Sequence, residues 1–122
     1  MTRAPQLLRA VRLISGAVFV VFGVGKFVNH SSELASFRTY GLPAPEVFVI
    51  VIGVVELVGG ALLIANRLVK PAALVLAADM VGAIVVSGLA KGELISLTLA
   101  PALLLAMAAL LLAPAERLDP RR

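Results

Sequence analysis

Residues 47–65 read VFVIVIGVVELVGGALLIA, an aliphatic and small-residue stretch broken near its middle by one charge, Glu56. Thirteen of the nineteen are Val, Ile, Leu or Phe. Each favours membrane insertion by roughly 0.3–0.6 kcal/mol, against about 2.5–3.5 kcal/mol lost for one central acid. The stretch therefore inserts with its carboxylate inside, and it approaches the ~20 residues that a helix needs to cross a ~30 Å hydrocarbon layer.

Three further apolar segments flank it, at residues 7–28, 71–89 and 94–113. The 122 residues are 61% hydrophobic and 15% charged, with a mean hydropathy of +1.05, outside the range of soluble domains. The expectation is one all-α domain over residues 1–122, a transmembrane four-helix bundle with up-down topology. Segment 71–89 holds Asp79 and only eight strongly apolar residues, so it is expected to insert as a hairpin with 47–65 across the turn NRLVK. The first segment resembles a secretory signal in the length of its uncharged core, but no small-x-small cleavage site follows, so it reads as a span.

Basic residues set the orientation. Arg3, Arg9, Arg12, Arg67, Lys70, Arg117, Arg121 and Arg122 fall on one side of such a bundle, and Lys26, Arg38 and Lys91 on the other. The positive-inside rule then places both termini in the cytoplasm and the chain in the inner membrane. The pI of about 10.4 reflects anchors facing anionic head groups. No basic run interleaved with aromatics suggests nucleic acid.

Helical periodicity puts each intramembrane charge on a small-residue face. Glu56 aligns with Gly53 and Gly60, with Gly59 beside them; Asp79 aligns with Gly82 and Ala83; Lys26 aligns with Gly16 and Gly23. These glycines are read as helix-packing positions, and the charges as a buried polar pocket of Glu56, Asp79 and Lys26. Glu56 lies nine residues and Asp79 eight from the cytoplasmic ends of their segments, or ~14 and ~12 Å at 1.5 Å per residue. The carboxyls are therefore level. Lys26, ~3 Å from the outer end by the same count, lies above both, and a Lys26–Glu56 pair needs long side chains to form. Two facing carboxylates repel in a medium of low polarity, so at least one is expected to be protonated at neutral pH. The competing reading is interhelical hydrogen bonding worth about 1 kcal/mol or less per contact. Intramembrane ionisable groups are nonetheless functional candidates by default.

In the last segment Pro101 removes a donor and crowds the Leu97 carbonyl, predicting a kink with Ser96 or Thr98 satisfying the backbone. The connection 29–46 predicts a short outer helix, capped by Ser31 with Glu33 in its first turn and ended by Gly41. Leu34 and Phe37 share one face of it, so it is expected to lie on the membrane or plug the outer mouth of the bundle. Arg38, Tyr40 and His30 are possible outer-loop contributors. Their plainer roles are a solvated head, an interfacial anchor and the exposed end of the first span.

Three stretches carry a resemblance: GVGKF closing the first segment, GLPAP closing the loop, and GVVELVGGALLI in the second segment. Together they resemble the DoxX family of small four-helix membrane proteins. The resemblance covers nearly the whole chain and maps onto Gly23, Gly25 and Lys26, and onto Glu56, Gly59 and Gly60. It implies a subunit like that of a thiosulfate:quinone oxidoreductase, or a membrane partner of thiol-stress and superoxide-detoxifying enzymes.

The residues argue against catalysis by the chain alone. There is no cysteine and one histidine, so no metal site or haem is expected. The glycines of GVVELVGGALL lie in an apolar helix, not in a phosphate loop. A small multidrug-type exporter is disfavoured by a first span without an acid and by one Tyr and no Trp. Two functions remain: a scaffold or accessory subunit for a redox or oxidative-stress complex, or a quinone- or proton-linked oxidoreductase subunit with a buried carboxylate pocket. Quinone is the cofactor class left open. Beyond the lipid bilayer, the expected partners are proteins or further copies of the chain.

Overall fold

The computed structural model describes residues 4–89 and 92–114. Among them every regular element is helical: α1 (Ala4–Val28), α2 (His30–Thr39), α3 (Pro45–Ala65), α4 (Val69–Ala83) continuing as a π-helical turn (Ile84–Leu89), and α5 (Leu94–Leu112). Residues 5–28, 45–65 and 69–88 are long and apolar enough to cross a membrane. The last apolar run, Leu97–Leu112, is shorter. Lys91 and the arginines at positions 3, 117, 121 and 122 lie outside the described residues.

α1 packs most closely on α3 and α4 on α5, while α3–α4 and α1–α5 contacts are sparser. Glycine explains the first pair. A Cβ on Gly60 would stand 2.6 Å from the Gly16 carbonyl oxygen, and one on Gly23 would stand 2.6 Å from the Leu57 amide nitrogen. Those are backbone atoms, so the helices approach this closely only because the side chains are absent. A Cβ on Gly53 would meet Phe27 at 2.9 Å, and one on Gly59 would meet Leu76 at 3.0 Å. Gly82 corrects the expectation, since nothing lies within 4 Å of its would-be Cβ. It faces a cavity, and its size leaves room there instead of bringing helices together.

The end of the molecule where α3 joins α4 is dry. Phe19, Leu63, Leu76, Met107 and Leu110 are fully buried there. Basic side chains cap neighbouring helices at this end. The Arg12 guanidinium donates to the Ile64 carbonyl at 3.0 Å and also to that of Leu63, in the last turn of α3. The Lys70 ammonium donates to the Leu111 carbonyl at 2.7 Å and to that of Ala113, at the end of α5. Cations thereby meet orphan carbonyls at the negative ends of two helix dipoles. Asn66 ends α3 in the left-handed conformation (φ 58°), which asparagine tolerates.

Two local expectations change. α2 begins straight after α1, with Asn29 between them and no side-chain cap, because the Asn29 amide still bonds back to Gly25 and its carbonyl accepts from Glu33. Ser31 is thus inside the helix and is not its cap, while Gly41 (φ 76°) does follow its end. α5 runs through Pro101 as one helix, and the Thr98 hydroxyl donates to the Leu94 carbonyl at 2.8 Å, not to that of Leu97. The Ser96 side chain lies outside the described ones.

Candidate functional site

Lys26 Nζ lies 2.8 Å from Glu56 Oε1 and 3.7 Å from Glu33 Oε1. The contact with Glu56 is an ion pair by distance, although its angles are not those of a hydrogen bond; an ammonium rotates freely, so the distance is the informative quantity. The sequence made this pair difficult because depth was counted along Cα atoms. Side chains lean toward their helix N-terminus. α1 and α3 run in opposite directions, so Lys26 leans deeper and Glu56 leans toward α2, and the two converge. Contact of α1 with α3 around Gly23 and Gly53 completes the approach. The Glu56 side chain is 4% exposed and that of Lys26 12%.

Asp79, on α4, is level with Glu56 on the antiparallel α3, because Leu76, one turn before Asp79, packs on Gly59, one turn after Glu56, at 3.0 Å from its would-be Cβ. Its Oδ2 is buried without a hydrogen-bond partner. A hydrogen bond between two carboxyls requires one to carry a proton, so the arrangement suits a pair that shares one.

Lys26, Glu33 and Asp79 line a cavity of about 570 Å³ between the α1–α3 and α4–α5 pairs at the α2 end, while Glu56, expected in the pocket, is not among its lining residues and is buried against Lys26. That volume is typical of small-molecule sites, usually ~300–1,000 Å³. Its walls are mostly apolar, from Phe22, Phe48, Ile52, Val55, Val75, Val86 and Leu103, and Ala78, Gly82 and Ala83 keep the α4 wall low. Four of the chain's six aromatic residues line it: Phe22, Phe37, Tyr40 and Phe48. Aromatic scarcity in the chain is therefore not scarcity in the site.

A second polar group lines the cavity at the α2 end. The Tyr40 hydroxyl donates to the Glu93 carboxylate, 2.9 Å from each oxygen, with the Ser36 and Ser87 hydroxyls beside it. Burial first, then the hydrogen bond and charge of Glu93, push the Tyr40 phenol up to about 12. Phe37 packs its ring 5.6 Å from that of Tyr40. Ser87 belongs to the π turn, whose wider coil is a common feature of functional sites, and its hydroxyl donates to the Ala83 carbonyl at 2.7 Å.

Of the outer-loop candidates, only Tyr40 reaches the cavity. Arg38 is exposed and pairs with Glu46 at 3.0 Å. His30 places Nδ1 3.3 Å from the Lys26 carbonyl at the α1–α2 junction. Sequence reasoning missed Glu33, Ser87 and Glu93 as site residues. The spacing of Glu33 seven residues after Lys26, on a helix continuing from α1, was the available signal; nothing in the sequence marked Glu93.

No solved structure matches the chain. An uncharacterized membrane protein of Mycobacterium tuberculosis is 39% identical over 87 residues, which cover 70% of this chain and 53% of that protein. The chain thus spans about half the length of that relative. The DoxX family pattern matches residues 7–89, a range that runs from the first turns of α1 to the end of the π turn and includes the ion pair and Asp79. This protein belongs to the DoxX family.

Proposed function

We propose that this DoxX protein is an inner-membrane accessory subunit of a redox or oxidative-stress assembly, and that its pocket receives an apolar, quinone-class molecule. All four long helices cross the membrane, both chain ends face the cytoplasm, and α2 covers the opposite mouth. The observation that carries the reading is the cavity between the helix pairs: apolar walls ending on Asp79 and Lys26, a polar terminus suited to a carbonyl or hydroxyl. Such a subunit supplies a binding site and a membrane anchor, and electrons come from a partner.

Titration calorimetry of the purified protein with a short-tail ubiquinone tests the pocket. Saturable binding is expected, weakened at least tenfold by Ala78→Phe, which fills the cavity, and by Asp79→Asn. Gentle purification from the native membrane tests the assembly, with co-purifying redox proteins expected. Absence of quinone binding overturns the pocket, and purification of the chain alone overturns the accessory role.

A further inference from the structure

The polar residues of the site form a line. Glu33 on α2 stands at the water edge with a 36% exposed side chain, Lys26 on α1 lies 3.7 Å from it and 2.8 Å from Glu56, and Glu56 on α3 is level with Asp79 on α4 across the Gly59–Leu76 contact. The buried oxygens Glu56 Oε1 and Asp79 Oδ2 are inaccessible to solvent. The opposite end is sealed by fully buried Phe19, Leu63, Leu76 and Met107. Among the described side chains, α5 offers Ala100 and Leu103 to the cavity, and the titratable groups Tyr40 and Glu93 are bonded to each other. His30 approaches only the Lys26 carbonyl. Among the described residues, the chain of ionisable groups that reaches the carboxyl pair from water runs through Glu33 and Lys26.

We propose that Glu33, Lys26, Glu56 and Asp79 are a proton path from the α2 end to the pocket, with Asp79 as the group that exchanges the proton with the bound molecule. The proposal deepens the pocket reading above and rests on it for the identity of the acceptor. In the forward direction the Asp79 O–H bond breaks as a bond from hydrogen to a ligand oxygen or nitrogen lone pair forms. The Glu56 carboxylate takes a proton from the Lys26 ammonium and passes it to the Asp79 carboxylate, and the Lys26 amine recovers a proton that the Glu33 carboxylate takes from water and hands on. One proton moves from water to ligand, and each relay group returns to its starting state. Sealing of the opposite end makes the path one-sided.

The test needs no ligand. In lipid nanodiscs, the infrared band of a protonated carboxyl, assigned by its loss in Asp79→Asn or Glu56→Gln, shifts when its proton exchanges for deuterium. Glu33→Gln and Lys26→Met are each expected to slow that exchange at least tenfold. Tyr40→Phe, which loosens the mouth without touching the line, is expected to leave it within twofold. Glu33→Gln removes a half-exposed group and keeps the test valid if Lys26→Met fails to fold. Absence of a protonated carboxyl band, or exchange that responds to Tyr40→Phe and not to Glu33→Gln, overturns the path. Quinone binding with such exchange keeps the pocket and rejects the path; slowed exchange without quinone binding does the reverse.

Discussion

Lys26 and Glu56 lean toward each other from antiparallel helices and meet at 2.8 Å, with the glutamate side chain 4% exposed. Removing one partner of a buried pair strands the other charge, which costs about 3–5 kcal/mol, whereas replacing both with apolar groups is often close to neutral. Lys26→Met and Glu56→Leu are each expected to lower unfolding stability in micelles by about 3 kcal/mol, and the double variant by about 1 kcal/mol or less. Additive losses in that cycle would show that the two residues do not act as a pair.

The glycines divide by what faces them. Gly23→Ala and Gly60→Ala drive a methyl group against backbone atoms 2.6 Å away, so α1 and α3 must separate, at about 1–3 kcal/mol each. Gly82→Ala meets open space and gains helix propensity of about 1 kcal/mol. Thermal unfolding is expected to fall for the first two and hold or rise for the third. Quinone affinity is expected to drop for Gly82→Ala, because its methyl group occupies the cavity.

Tyr40 is the chain's one tyrosine, and there is no tryptophan, so phenolate absorbance reports it alone. Free tyrosine ionises near pH ~10; the folded midpoint is expected at about 12. The folded state favours the neutral phenol. Its contribution to stability is therefore full below pH ~10 and is lost as pH rises through the folded midpoint, with no effect from Tyr40 in the acid range. Glu93→Gln is expected to lower the midpoint only part of the way, since burial is the largest cause. A midpoint near 10 in the folded protein would mean that Tyr40 is solvated and that the mouth stands open.

Length and hydropathy were enough to locate the apolar helices, because burying an apolar side chain in lipid needs no particular partner. The Lys26–Glu56 contact depends on which way Cβ atoms tilt, information that a count of residues from helix ends discards. The Tyr40–Glu93 contact joins residues 53 apart in the sequence, one of them in a connector without periodicity, so no local pattern could announce it. The role of Gly82 was also hidden. A glycine on a helix face reads the same whether a neighbour fills the space beside it or none does, and only the neighbour's position distinguishes packing from vacancy.

The two closely packed helix pairs are joined at one end by dry packing and parted at the other by the cavity. In such a wedge, any rotation of one pair against the other about Phe19, Leu63, Leu76 and Met107 would alter the width at the α2 end more than at the dry end, by leverage alone. The Tyr40–Glu93 hydrogen bond spans that wide end, joining the segment before α3 to the one leading into α5.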